Sequence, residues 1–254
     1  MGLPLFYVAE ERIDTRSGCA SVEGADARHL SKSLRAGMGD KLTICDARGS
    51  RYIARIETIS PETVFLKLLS SRYVQPERPQ VVLFQAMTKG PAMDEAVARA
   101  AEAGASRLVP FVSKRSPIEA VKKSGNRLER WRTIARESSK VARRPYPLEV
   151  REPSRSFDES LMKTVGDCVV LWEEEESRPF KNALPDQPPR SIGLVVGPEG
   201  GLEAGEVAAL RSMGGRAASL GEINLRAESA GSYAIMIVRY RYGLLAPGGQ
   251  AADG

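Results

Sequence analysis

The chain has 254 residues, 42% of them hydrophobic, and carries a formal net charge of +5. This length suits two modest domains, and no apolar run reaches the ~18 residues that a membrane-spanning helix needs. Three dispersed cysteines and a single histidine predict neither a disulfide framework nor a metal site. The N-terminus gains charge too early for a signal peptide, so we expect a cytoplasmic protein with no membrane partner.

Residues 1–73 are predicted to form a small β-barrel or sandwich. Short apolar or alternating runs at about ten-residue spacing predict four strands, over residues 6–8, 41–45, 51–56 and 63–69. A helix is predicted over residues 26–35, with Leu30 and Leu34 on one face and Arg28, Lys32 and Arg35 forming a basic rim.

A charged, proline-bearing stretch at residues 74–79 is predicted to be a linker. From residue 80 to 246, strand-like and helical patterns alternate. The apolar strands are expected at 81–85, 107–112, 167–172, 192–196 and 217–220, and the helices at 92–103, 125–141, 203–213 and 226–244. This rhythm predicts an α/β domain with a mostly parallel sheet covered on both faces. Residues 247–254 are expected to be a flexible tail.

Basic residues are concentrated between positions 114 and 155. This stretch holds thirteen lysines and arginines against five glutamates. Such density indicates a surface that contacts phosphates, with an ordinary solvated helix face as the alternative.

Two glycine-bearing turns follow apolar strands in the second half of the chain. The first, Gly-Pro-Glu-Gly-Gly-Leu at residues 197–202, follows the strand at 192–196; the second spans residues 219–230. Ligands bind at the carboxyl ends of parallel strands. Pro198 removes an N–H donor, Glu199 would repel a phosphate, and no Lys-Ser/Thr follows the glycines. The turns therefore predict a pocket for a cationic or neutral ligand and disfavour an ATP-using enzyme.

These turns resemble the paired C-terminal motifs of the RsmE family, the 16S ribosomal RNA uracil-N3 methyltransferases of the SPOUT superfamily. The resemblance lies in residues 197–202 with Glu206 and in Leu-Gly-Glu-Ile-Asn-Leu-Arg-Ala-Glu-Ser-Ala at residues 220–230. Weaker matches occur in the same order along nearly the whole chain: residues 29–35 with Gly39-Asp40, Lys89-Gly90 with residues 101–104, residues 110–116, and Arg144 with Pro147.

The resemblance implies an RNA-binding, PUA-like β-barrel over residues 1–73 and a SPOUT methyltransferase domain over residues 80–246. It further implies a deep trefoil knot, which general rules of chain topology would not predict. A homodimer that completes each active site across its interface is implied, with S-adenosylmethionine as the cofactor. The implied partner is the 16S rRNA of the 30S small ribosomal subunit.

The implied site residues fall into three groups. Cofactor contacts are expected from Leu171, Val196, Gly197, Pro198, Glu199, Gly200, Gly201, Leu220, Gly221, Ile223, Asn224 and Leu225. Arg226 is expected to be a buried group that stabilises negative charge on the uracil, while Glu228 orients Arg226 or accepts the N3 proton. RNA contacts are expected from His29, Arg35, Lys89, Arg115 and Arg144.

The sequence departs from the family pattern at five positions. Leu5 replaces an arginine, and Asn224, Ser229, Ala101 and Val141 replace isoleucine, threonine, threonine and glutamine. These changes leave open one RNA contact and the details of cofactor packing. Two other functions also remain open: ribose 2′-O methylation of RNA by a related SPOUT enzyme, and non-catalytic RNA binding by a ribosome-assembly factor. Arg226 suits either methyltransferase, the uracil-N3 enzyme or the ribose 2′-O enzyme. Glu228 is also explained as a residue that caps the last helix.

Overall fold

The computed structural model describes residues 3–117 and 124–246, with the backbone alone at 124–126. The chain divides into two compact units. The first comprises the residues up to Pro76 together with Ser139–Pro147, and the second comprises Glu77–Ser138 and the chain from Leu148 onward. We expected residues 139–147 within the second domain. Lys122, Lys123 and the expected tail lie outside the described residues.

The first unit contains a mixed six-stranded sheet in the order β1-β4-β5-β6-β3-β2. The β1–β4 pair is parallel and the other pairs are antiparallel. The strands are β1 (Leu5–Tyr7), β2 (Ile13–Asp14), β3 (Cys19–Glu23), β4 (Lys41–Cys45), β5 (Ser50–Ile59) and β6 (Thr63–Tyr73). β1 and β2 are the outer strands of this order.

One face of this sheet forms the core of the first unit. Leu42, Ala54 and Leu66 are almost fully buried in this core, and Ala54 and Leu66 alternate with less buried residues along their strands. A short helix, α1 (Ala25–Arg28), continues into a wider helical turn at His29–Ser33 and packs Leu30 onto this core. The helical segment ends before Arg35, whose φ is +51°, and Leu34 is exposed rather than packed beside Leu30.

The second unit is built on a six-stranded sheet in the order β12-β10-β11-β7-β8-β9. Its strands are β7 (Gln80–Ala86), β8 (Arg107–Phe111), β9 (Glu149–Val150), β10 (Asp167–Leu171), β11 (Ser191–Val196) and β12 (Arg216–Ala218). Every pair among the described strands is parallel, which confirms the predicted α/β class.

Helices cover both faces of this sheet. They are α2 (Gly90–Ala103), α3 (Ser124–Val141), α4 (Glu159–Met162), α5 (Phe180–Ala183), α6 (Ala204–Ser212) and α7 (Ala227–Arg241). Leu194 faces the core beneath α2 and α7, whereas Val195 faces the core beneath α6. α7 packs closely on β7, since a Cβ at Gly231 would lie 2.9 Å from Leu83 Cδ1. Among the described residues, no helix is long and apolar enough to cross a membrane.

Candidate active site

The two glycine turns line one cavity of about 780 Å³ in the second unit. It lies where the chain leaves the carboxyl ends of β10, β11 and β12. The structure places all twelve predicted cofactor residues in its wall, together with Arg226 and Glu228. β11 and β12, which precede the two turns, are separated by β10. The end of β10 therefore adds Trp172 and Glu173, which sequence reasoning missed.

The first turn requires glycine at two positions, Gly197 and Gly201. A Cβ at Gly197 would lie 3.0 Å from the Gly201 carbonyl carbon and from the Leu202 nitrogen. Gly201 has a φ of +70°, and a Cβ there would lie 1.7 Å from Glu173 Oε1. The turn then leads into α6 through a capping box in which Glu203 and Glu206 each accept from the other's backbone.

The loop between β7 and α2 supports the first turn. Glu199 is exposed, and its Oε1 accepts a hydrogen bond of 2.8 Å from the backbone N–H of Lys89. The buried Gln85 donates its amide to the Gly197 carbonyl at 3.4 Å. The predicted RNA residue Lys89 thus positions Glu199 through its backbone, while its side chain is exposed.

Arg115, a predicted RNA contact, is bound to the same turn. Its Nη1 donates to the Gly200 carbonyl at 2.7 Å, and its Nε lies 3.8 Å from Glu203 Oε1. Lys114 beside it donates its backbone N–H to Glu206 at 2.9 Å. This end of the basic stretch therefore stabilises the turn and the start of α6.

The second turn is held at its start and open at its tip. The Ser219 backbone N–H donates to the Arg178 carbonyl at 2.9 Å, and Gly221 donates to the Ser219 hydroxyl at 3.1 Å. Gly221 has a φ of +106°, and Ile223 at the tip is 78% exposed. The rim of the pocket therefore includes the largely exposed apolar side chain of Ile223.

Arg226 and Glu228 lie where the second turn enters α7. Arg226 is the N-cap residue in extended backbone, and Glu228 lies in the first helical turn, where the helix dipole favours a carboxylate. Arg226 Nη1 is 3.9 Å from Glu228 Oε1. The Arg226 side chain is 85% exposed and that of Glu228 10% exposed. The sequence predicted a buried arginine, and this is wrong for the single chain. Arg226 is the N-cap residue, so it lies outside the helix and its side chain is exposed.

The remaining predicted RNA residues lie in the first unit. His29 and Arg35 are exposed, with the His29 ring 6.2 Å from that of Phe6. Arg144 is half-buried, and its carbonyl accepts a 2.8 Å hydrogen bond from Tyr7. Within the basic stretch, Arg130 pairs with Asp94, and Lys140 pairs with Asp26 at 2.6 Å. The basic charge there is partly neutralised.

Comparison with known proteins decides the family. A family model described as an RNA methyltransferase domain matches residues 76–239 of this chain. The chain belongs to this RNA methyltransferase family. A second model, an RNA methyltransferase PUA domain, matches residues 22–69 of the methyltransferase.

Several known proteins are similar to this methyltransferase over most of its length. The ribosomal RNA small subunit methyltransferase E of Bacillus subtilis is 29% identical over 237 residues, covering 89% of this chain and 91% of the relative. The Mycobacterium bovis protein of the same name is 28% identical, with 91% and 89% covered. The Neisseria gonorrhoeae protein of that name, solved bound to S-adenosyl methionine, shares the fold with a TM-score of 0.79, 24% identity and coverage of 94% and 98%.

Glu175 organises the segment that supports the second turn of the methyltransferase. It accepts hydrogen bonds from the Ser177 hydroxyl and from the backbone N–H groups of Ser177 and Arg178, and it pairs with Arg211. The Ser177 hydroxyl, the backbone N–H groups and the Arg211 charge hold the pKa of this carboxyl below its ordinary value. Because the Arg178 carbonyl anchors Ser219, Glu175 fixes one wall of the pocket indirectly.

The cysteines are not suited to covalent catalysis. Burial raises the pKa of Cys45 to about 11 and that of Cys168 to about 12, so neither forms a thiolate at neutral pH. Cys19 is exposed, in the first unit. Among the described residues, no three His, Cys, Asp or Glu side chains are grouped as a metal site requires.

Proposed function

We propose that this methyltransferase uses S-adenosylmethionine to methylate N3 of a specific uridine in the 16S rRNA of the small ribosomal subunit, in the cytoplasm. The observation that carries the proposal is the single cavity that joins both glycine turns to Arg226 and Glu228. The family membership and the names of the full-length relatives support the same substrate class.

The pocket's residues fit S-adenosylmethionine. Four carboxylates line it, from Glu173, Glu199, Glu222 and Glu228, against the one cation Arg226 among the described lining residues. This acidic wall favours a sulfonium cation and opposes a nucleotide phosphate. Gly197 and Gly201 let backbone approach the cofactor closely, and Leu171 and Val196 supply apolar wall. When bound, the cofactor supplies an electrophilic methyl group.

Arg226 and Glu228 are the proposed catalytic residues. N3 of uridine is protonated at neutral pH and is then a poor nucleophile, so the enzyme must stabilise its deprotonated form. The Arg226 guanidinium would stabilise negative charge that develops on the uracil. The largely buried Glu228 would orient Arg226 or accept the N3 proton. The exposure of Arg226 is consistent with a site that is closed by RNA or by a second subunit.

We further propose that the chain forms a homodimer, and that the second unit contains a trefoil knot and the first a PUA-like barrel. One surface of α7 supports dimerisation: Tyr233, Met236, Ile237 and Tyr240 recur at helical spacing and are 39–79% exposed. The second turn and α7 are consecutive in the chain. A partner seated on α7 would therefore lie beside Arg226. The domain boundaries at residues 73 and 80 remain part of this proposal.

Mapping modified uridines in the 16S rRNA tests the reaction. A strain that lacks this protein should lose one N3-methyluridine, and the unaltered gene should restore it. Arg226→Ala and Glu228→Gln should each lower single-turnover methylation about 100-fold or more with cofactor saturating, because each removes a group that acts in the transition state. Arg178→Gln, whose side chain is outside the pocket wall, is the control.

Three results would contradict the proposal in different ways. A lost 2′-O-methyl group in place of N3-methyluridine would favour the ribose methyltransferase. No binding of S-adenosylmethionine in isothermal titration would favour the assembly factor. Unchanged single-turnover rates in both variants would leave the reaction intact but remove Arg226 and Glu228 from it.

A further inference from the structure

The outward face of the first unit's sheet carries an unusual arrangement of charge. Lys41 on β4 lies directly opposite Arg55 on β5, and Arg55 lies directly opposite Lys67 on β6. We call these three residues the cationic row. All three side chains are exposed, while their neighbours Leu42, Ala54 and Leu66 are buried on the other face. The row therefore crosses three adjacent strands on one solvent-facing surface.

A second pair of opposed cations extends this surface. Arg51 on β5 lies opposite Arg72 on β6, and Arg51 alternates with Arg55 onto the same face. Three acids also lie on this face: Glu57, which pairs with Arg55 at 2.9 Å, Glu23, which pairs with Arg12, and Asp14, whose carboxylate accepts hydrogen bonds from Ser17. Among the described residues, no carboxylate pairs with Lys41 or Lys67.

This arrangement opposes folding. Like charges directly opposite each other on neighbouring strands destabilise a sheet, and three such pairs occur here. Burial in the core does not explain them, because the residues of the row are exposed, and the one further contact among the described residues is the hydrogen bond that Lys67 Nζ donates to the Ser17 carbonyl at 3.3 Å. A polyanion laid across the face would relieve the repulsion and release its own counterions. Binding of the polyanion would thus offset the electrostatic repulsion that destabilises the free protein.

We infer that the cationic row binds the phosphate backbone of the RNA substrate. This rests on the proposed function, since RNA is the polyanion that an enzyme of this family handles. The RNA methyltransferase PUA match covers residues 22–69 and so includes all three members of the row. Phe65, on the same face two residues before Lys67, is 57% exposed and offers a ring on which a base stacks. The row is distinct from the RNA residues expected from sequence.

Filter binding of unmodified 16S rRNA transcript at several KCl concentrations tests the inference on the full-length protein. Lys41→Gln with Lys67→Gln should weaken binding about tenfold and reduce the slope of log affinity against log salt by roughly 2, about one per lost contact. Arg16→Gln with Arg48→Gln is the control: it removes the same charge from two exposed turn residues outside the row. It should leave the slope almost unchanged.

Thermal unfolding separates a binding role from a structural one. Because the two lysines repel Arg55, their replacement should leave Tm unchanged or raise it. Lys41→Arg with Lys67→Arg keeps the charge and should keep RNA affinity. Equal salt slopes for the double glutamine variant and its control would overturn the inference. So would row-dependent binding to phosphatidylserine vesicles with RNA affinity unaltered. Titration with S-adenosylmethionine is independent of these outcomes and reports on the proposed function alone.

Discussion

At the scale of single residues, Gly201 shows how the pocket depends on an absent side chain. Its φ of +70° favours glycine, and a Cβ there would displace the Glu173 carboxylate. The sequence alone predicted the chemistry of Pro198 and Glu199. Proline lacks a backbone N–H donor and glutamate carries a negative charge wherever the turn lies in the structure. The exposure of Arg226 was not readable, because exposure depends on what surrounds a side chain.

Gly201→Ala should weaken S-adenosylmethionine binding about tenfold or more, because the new Cβ displaces the Glu173 carboxylate and strains the turn. Isothermal titration measures the affinity. Gly205→Ala is the matched control, since a Cβ there meets nothing within 4 Å and Gly205 lies within α6. Equal affinities for the two variants would show that the first turn does not hold the cofactor.

At the scale of elements, each glycine turn is fixed by segments far away in sequence. The first turn is held by Lys89 and Arg115, and the second by the Glu175 segment through Arg178. Local patterns predicted most strands and the long helices. They missed β3 and the two-residue strands β2 and β9, because pairing with neighbours rather than local propensity defines such short strands.

At the same scale, the stability that Glu175 contributes should depend on pH. Its folded-state pKa is depressed, so the stability it contributes is fully present above the ordinary value of 4.5 and is lost as pH falls through the lower folded value. Glu175→Gln should therefore lower Tm by about 2–4 °C at pH 7, as expected for one lost charge-assisted hydrogen bond. The difference from the unaltered protein should narrow below pH 4.5.

The neighbouring residue Glu174, which is exposed, provides the control for this Tm measurement. Glu174→Gln removes the same charge from an exposed side chain, and it should leave Tm almost unchanged. A Glu175→Gln deficit that persisted undiminished at low pH would mean that packing, and not the ionised carboxylate, supports the second turn.

At the scale of the whole molecule, the apolar surface of α7 predicts the assembly. Met236→Lys should shift the protein from dimer to monomer in sedimentation analysis, because it places a charge in the proposed interface. Met38→Lys is the matched control, being an equally simple change at a methionine that is 73% exposed in the first unit. A Met236→Lys protein that sedimented as a dimer would place the interface elsewhere.

The sequence by itself determined the α/β class of the second unit, the two glycine turns and the chemical type of ligand they suit. These follow from hydrophobic periodicity, backbone freedom and charge, which are properties of neighbouring residues. Only the tertiary structure decided that β10 separates the strands before the two turns, that Trp172 and Glu173 enter the pocket, and that Lys41, Arg55 and Lys67 form one row. Strand order and register come from pairing between distant segments, and no local pattern encodes which strands become neighbours.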